Sequence, residues 1–416
     1  MTLPTPSRFA PLPLHALPRP GSVTLPLGFR ASGVHAGIKR SRPDIGVLVS
    51  DRPAVSAVSF TTNAAAAAPV LVTRDTCDLT AIRGVVVNSG VANASTGTQG
   101  HEDALRMRAL TAGGLGLPEA QVAVSSTGTI GEFLPMDAIE SGIERCVNEL
   151  NEHGGERFAD AIRTTDRTEK VLGLSVQTAA GSVHLGFASK GAGMISPKMA
   201  TTLTFVTTDA DVPQAVWYEM MAEGVRASFN RITVDAQEST NDMVLGMANG
   251  ASNVALDETG LTRLREALHA GLLSMALAVV ADGEGSTTTV RLRVAGAADG
   301  DEAERVARAI GNSPLVKSAI YGHDANWGRL VSAAGMSLPA GAAGSFACDI
   351  FYGDVCLLKA GEPTTLSDQD QERLDEIVGD RELDLLVDLR RGRDAAVLYF
   401  PDLTHDYVQL NAGLRT

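Results

Sequence analysis

The sequence predicts an α/β or α+β protein, and three observations carry that prediction. Short β-branched runs recur along the 416-residue chain. Long stretches with helical spacing of apolar residues lie between them. Glycine is abundant at 42 residues while aromatic residues make up only 4%, which points to many turns and an aliphatic core. The strand-like runs are "IGVLVS" (45–50), "VSAVSFTTN" (55–63), "GVVVNSG" (84–90), "VAVSSTG" (122–128), "VHLGFAS" (183–189) and "LTFVTTD" (203–209).

Each further element has a local reason. A helix is expected over 102–112, opening at Glu102 and Asp103 and stopping at Gly113-Gly114. The strongest helix runs from about 258 to 281, where Leu261, Leu264, Leu268, Leu272, Met275 and Val279 recur at steps of three and four. Gly283 and Gly285 stop it and leave Glu284 on a tight helix-to-strand loop. In the strand that follows, Val290, Leu292 and Val294 alternate with Arg291 and Arg293, as on a half-buried sheet face. A charged amphipathic helix is expected over 300–313. The proline-rich start, residues 1–25, reads as an extended polyproline-like arm.

Bulk properties exclude some partners. A net charge of -14 argues against nucleic acid and anionic membranes, both of which need a basic face. No run of 18 apolar residues occurs, so no membrane span is expected, and the N-terminus lacks the apolar core of a secretory signal. Cytoplasmic location follows as the expectation. Cys77, Cys146, Cys348 and Cys356 match no metal or redox spacing and read as reduced thiols. No metal site is expected.

The chemically informative stretch is "KGAGMISPKMATTLTF" (190–205). Gly191 and Gly193 permit positive φ, Pro197 fixes a turn, and Ala200 is small before the β-branched Thr201. A threonine hydroxyl is a weak nucleophile unless a base adjoins it. A threonine that becomes N-terminal carries its own, since a free α-amine has a pKa of roughly 7.7–8. A strained bond between Ala200 and Thr201 would suit an N-to-O acyl shift that exposes that amine. The same spacing also fits a plain glycine-rich loop entering an edge strand.

Beyond spacing, the stretch resembles the self-cleaving junction of the ornithine acetyltransferase family, the bifunctional glutamate N-acetyltransferases. "FTTNAAAAAPV" (60–70), "VVVNSGVANASTGTQGHEDA" (85–104), "VSSTGTIGEFLPM" (124–136) and "SFNRITVDAQESTNDMVLGMANG" (228–250) resemble family landmarks too. So do "DGEGST" (282–287), "SPLVKSAIYGHDANWGRLVSAAG" (313–335) and "YVQLNAGLRT" (407–416), in the family's order. The resemblance implies an αββα-type layered sandwich of the N-terminal-nucleophile kind. It implies a cut between Ala200 and Thr201 that gives an α chain (26–200 after the arm) and a β chain (201–416), assembled as α2β2 or larger.

The implied reaction transfers an acetyl group from N2-acetylornithine to glutamate through acetyl-Thr201. Thr127 and Gly128 match the family's oxyanion-hole pair. Lys190, Glu284, Asn411 and Thr416 match substrate-binding positions, as does one of Thr164 and Thr165. Lys190 there could hold a carboxylate or keep the Thr201 amine neutral. No cofactor is implied, although bifunctional members also take acetyl-CoA as a co-substrate. Asn241-Asp242 and Asn326-Trp327 also match and read as mainly structural, and His323 as a surface or packing residue.

Several positions depart from the family pattern: Lys198, the "TTDRTEK" segment after Asp166, Ala236, Gln237 and Glu238, Val91, Ala325 and the "NAGLRT" ending. They leave open a paralogue that acts on another acyl donor or amine. An N-terminal-threonine amidohydrolase or aminopeptidase shares the nucleophile but passes the acyl group to water.

Overall fold

The computed structural model describes residues 7–196, 202–339 and 346–413. Ala200, Thr201 and Thr416, together with Pro197 and Lys198, lie outside the described residues. The fold contains two packed sheets flanked by helices and a third sheet beside them.

The first sheet has the order β1-β7-β8-β9-β10-β4. Its strands are β1 (Ala16–Arg19), β4 (Val55–Phe60), β7 (Lys170–Thr178), β8 (Gly181–Lys190), β9 (Leu203–Thr208) and β10 (Met243–Ala248). The second has the order β2-β3-β5-β6, built from β2 (Phe29–Val34), β3 (Ile45–Ser50), β5 (Gly84–Val91) and β6 (Val122–Thr129). One apolar layer joins the two: Phe29, Leu48, Val85 and Ala123 from the second sheet meet Ala188, Phe205, Leu245 and Met247 from the first. The opposite face of the second sheet carries α1 (Ala68–Thr76), α2 (Gly97–Leu115) and α3 (Met136–Asn148), through Val72, Met107 and Ile143. A short helix, α4 (Gly155–Ala161), packs on β2 and β3, with Phe158 edge-on to Phe205.

The outer face of the first sheet carries α5 (Gln214–Ala227) and α6 (Glu258–Ala281). Helix α6 is long and apolar enough to cross a membrane by length and composition, but Leu264, Leu268, Leu272, Met275 and Val279 are buried in this fold. Helix, sheet, sheet and helix thus stack in the order the family resemblance implied.

A third core holds β11 (Thr289–Ala297), β12 (Asp349–Tyr352), β13 (Val355–Lys359), β14 (Glu362–Pro363), β15 (Glu382–Asp388) and β16 (Asp394–Pro401). Val290, Leu292 and Val294 are fully buried while Arg291 and Arg293 face outward, as their alternation requires. The helices α7 (Gly300–Gly311), α8 (Pro314–Tyr321), α9 (Trp327–Ser337) and α10 (Asp368–Val378) cover this core, and α11 (His405–Gly413) returns toward the loop after α6. Asn326 caps α9 by accepting from the Arg329 N–H. His323 is exposed at a positive φ of 53°.

Two local expectations differ from the structure. Helix α2 begins five residues before Glu102 and continues through Gly113-Gly114, ending at Gly116, which adopts a left-handed conformation (φ 66°) and closes the last turn. Gly114 is kept in the helix because it lies against Val147 of α3, where a Cβ would come within 3.0 Å of a methyl. The proline-rich start is also not free-standing over its described part. Residues 16–19 pair with β7 as an edge strand, where the missing N–H of Pro18 is tolerated, and Phe9 is buried against Tyr399. All four cysteines are unpaired.

Candidate active site

The glycines of 190–194 have separate reasons. Lys190 ends β8 and is 9% exposed. Gly191 takes φ 154° and donates its N–H to Asp166 Oδ1 at 2.7 Å. Gly193 lies so near Glu284 that a Cβ would come within 2.6 Å of its carboxylate. Met194 then adopts φ 58°, a conformation that costs a non-glycine residue on the order of 1 kcal/mol or more. Asp235 holds this turn in place by accepting from the N–H groups of Met194 (2.6 Å) and Ile195 (2.9 Å). Backbone strain therefore sits six residues ahead of Ala200. Beyond the junction, the Thr202 hydroxyl joins Thr204 at 2.8 Å and its carbonyl accepts from the Met243 N–H.

These elements close around a cavity of about 370 Å³. Thr127, Gly128, Thr164, Thr165, Lys190, Glu284 and Asn411 all border it, as does Thr202, the chain neighbour of Thr201. Every predicted site residue within the described part of the chain is thus brought to one place, from positions up to 284 residues apart in sequence. Thr164 is half-buried, with its N–H held by Asp166, and Thr165 is exposed.

Two walls differ chemically. On one, Thr127 and Gly128 end β6, in register with Ser89 and Gly90 of β5. Gly128 has φ 135°, and a Cβ there would fall 2.2 Å from the Gly90 carbonyl carbon, so only glycine fits. Lys190 Nζ donates to Thr127 Oγ1 at 3.2 Å, which leaves the Thr127 O–H free to donate elsewhere. Burial lowers the Lys190 ammonium pKa, against the pull of Asp166, Asp242 and Glu284. On the other wall, Glu284 Oε2 accepts from Asn411 Nδ2 at 2.7 Å, so α11 does fold back onto the loop after α6. Burial and the Asp235 and Glu284 charges push the neighbouring Tyr407 hydroxyl up to about 12.

Behind the cavity, Lys170 Nζ lies 2.6 Å from both Asp166 Oδ1 and Asp282 Oδ2, all three side chains being buried. Burial alone would raise the Asp166 carboxyl, yet Lys170 and Lys190 hold it well below the usual carboxylate range. Asp282 also accepts from the backbone and guanidinium of Arg167. This triad ties the Thr164 loop, the Gly191 turn and the Glu284 loop to one buried lysine.

The sequence reading missed Lys39, Asp235 and Tyr407, which border the cavity. Asn241 is structural as expected: its amide donates to the carbonyls of Ala92 and Ser126 and fixes the end of β6. Asp242 borders the cavity as well. It is 3% exposed, its Oδ2 has no hydrogen-bond partner, and burial raises its carboxyl pKa well above normal. No local signal marks it. Among the described residues, no cluster of side chains could hold a metal ion.

A model of the ArgJ family matches residues 30–416. The arginine biosynthesis bifunctional protein ArgJ of Oceanobacillus iheyensis is 40% identical over 401 residues, 95% of this chain and 97% of that protein. Its counterpart in Halalkalibacterium halodurans is 42% identical over 400 residues, 95% of this chain and 96% of that protein. Among solved structures, ornithine acetyltransferase of Mycobacterium tuberculosis complexed with ornithine is 38% identical and covers 44% of this chain and 100% of that one, with a TM-score of 0.42.

Proposed function

This chain belongs to the ArgJ family, and from that premise we propose that it moves an acetyl group from N2-acetylornithine to glutamate in arginine biosynthesis. The observation that carries the reading is the single cavity bordered by Thr127, Gly128, Lys190, Glu284 and Asn411, beside the entry to β9. Thr201 supplies the nucleophile after the bond to Ala200 is cut. The two pieces, 1–200 and 201–416, stay associated, and pairs of them assemble further.

The residues divide the work by chemistry. The Thr201 hydroxyl attacks the acetyl carbonyl while its α-amine takes the hydroxyl proton. Thr127 O–H and the Gly128 N–H donate to the oxygen as it gains charge. The bond from Lys190 polarises that threonine hydroxyl and makes it a stronger donor. As the tetrahedral centre collapses, the C–N bond breaks and the α-amine returns its proton to the departing ornithine nitrogen. Glu284, steadied by Asn411, receives the terminal ammonium of ornithine. The amine of glutamate then attacks the acetyl ester, and the threonine oxygen regains a proton. Both amides are alike in energy, so the protein supplies positioning and charge stabilisation.

Denaturing intact mass spectrometry before and after brief exposure to N2-acetylornithine tests this reading. Two fragments meeting at Ala200–Thr201, with one acetyl group added to the C-terminal piece, are expected. A chain that stays whole after time to mature would overturn the mechanism. Acetyl release that ignores added glutamate would replace transfer by hydrolysis.

A further inference from the structure

Lys39 borders the cavity, yet nothing in the reaction above uses it. Its place is fixed from both sides. The loop ahead of it is wrapped around the fully buried Asp44, whose carboxylate accepts from the N–H groups of Gly37 (3.1 Å), Ile38 (2.8 Å) and Lys39 itself (3.0 Å). The Lys39 stem packs beside Gly90, 3.2 Å from where a Cβ on that glycine would stand. Gly90 is the strand partner of Gly128. The ammonium end donates to the Arg163 carbonyl at 2.9 Å, next to Thr164.

A lysine ammonium carries three donors, and a single neutral carbonyl uses one of them. Among the described residues Lys39 forms no ion pair. The carboxylates nearest in effect are Asp44, occupied by backbone N–H groups, and Asp160, bonded to Arg163. Arg42 and Arg163 face it with like charge. Burial pushes its pKa down to about 8, against the pull of Asp44 and Asp160. Lys190, the other lysine among the described residues bordering the cavity, is differently placed: it spends a donor on Thr127 and has Asp166, Asp242 and Glu284 around it.

We infer that Lys39 is the anchor for the α-carboxylate that the amino-acid donor and acceptor share. The inference rests on the proposed acetyl transfer for the identity of those ligands. A carboxylate would accept the two unused donors, and Glu284 would receive the far ammonium of the donor. The cavity then presents a cation and an anion to the two charged ends of one N-acylated diamino acid. Glutamate uses the same cation when it enters as acceptor.

The test compares wild type with Lys39→Met, which keeps the stem, and Lys39→Arg, which keeps the charge. The ligands are N2-acetylornithine and its analogue in which the carboxylate is a primary carboxamide. Losing a buried charge partner corresponds to a factor of roughly 30 or more, so KM for the carboxylate donor should rise by about that factor in Lys39→Met. KM for the carboxamide should stay within about threefold, and kcat should change little for either, because the interaction is equally present before and during reaction. Lys39→Arg should recover part of the preference. Equal losses on both donors, or none on either, would overturn the assignment and leave Lys39 a scaffold residue. If wild type transfers no acetyl group from N2-acetylornithine, the functional reading fails separately. Calorimetric binding of N-acetylglutamate and its α-carboxamide then decides Lys39: a wild-type preference lost in Lys39→Met supports it, and one kept intact overturns it.

Discussion

Replacing Lys170 by methionine should destabilise the first core strongly, and with an unusual dependence on pH. The substitution leaves Asp166 and Asp282 buried with no cation between them, where each carboxylate now has an ammonium at 2.6 Å. Breaking a buried pair by removing one partner costs about 3–5 kcal/mol, because the remaining charge stays out of water. For a 416-residue chain that corresponds to a fall in melting temperature of roughly 3–6 °C. The sign with pH follows from Asp166. In the wild type its carboxyl is held below the usual range, so it contributes stability that is present above about pH 3.9 and is lost as the pH falls.

Without Lys170, burial, already the largest influence on Asp166, is opposed by Lys190 and the Gly191 N–H, and the carboxyl should rise. Its contribution then changes sign, and protonation relieves the variant as the pH drops. The gap between the two proteins should therefore be widest near neutral pH and shrink toward pH 4. Thermal unfolding followed by circular dichroism across that range reads it directly, with both proteins compared in the same state of cleavage. A gap below about 1 kcal/mol at pH 7, or one independent of pH, would refute the reasoning and leave the triad as packing only.

Gly128→Ala should lower kcat about 10²–10³-fold with KM changed far less, since its Cβ would strike the Gly90 backbone at 2.2 Å and displace the donors; steady-state kinetics decides this. Asn411→Ala removes a hydrogen bond to the Glu284 carboxylate worth about 1.5–3 kcal/mol. It should weaken donors with a terminal ammonium by about tenfold or more while sparing an N-acetyl amino acid with an alkyl side chain, as competition kinetics would show. Asp242→Asn should raise the melting temperature at pH 7, because the raised carboxyl pKa makes burial unfavourable as pH climbs; below about pH 3.9 the two proteins should melt alike. After cleavage ahead of Thr201, the pieces should elute together in native gel filtration and part only in denaturant.

What could be read from the sequence was periodic or glycine-marked. The α6 stripe of Leu264, Leu268, Leu272, Met275 and Val279 is a local property, and so is the alternation in β11. The site residues Thr127, Gly128, Lys190, Glu284 and Asn411 were found through motif resemblance, and their convergence on one cavity is a result of the fold. The triad was not legible: Asp166 and Lys170 are one helical turn apart in number but lie on a loop and a strand, and Asp282 joins them only because α6 crosses β7. Lys39 and Asp235 were missed for the same reason. The end of α2 was misplaced because each glycine costs a helix only about 1 kcal/mol, which packing against α3 offsets.

The sheet order explains how a chain could be cut inside its own active site without losing it. Strand β9, the first element after the junction, pairs with β8 on one side and β10 on the other. Strand β10 in turn pairs with β4, which lies far upstream. A cut ahead of Thr201 therefore leaves two ladders, β8 to β9 and β10 to β4, crossing between the pieces, backed by the apolar layer shared with the second sheet. The cavity walls divide in the same way. Thr127, Gly128, Thr164 and Lys190 precede the junction, and Asp242, Glu284 and Asn411 follow it. On either side of the junction the described chain is held: the Ile195 N–H donates to Asp235, and the Thr202 carbonyl accepts from the Met243 N–H. A cut ahead of Thr201, as proposed, would leave the described groups that border the cavity with their anchors.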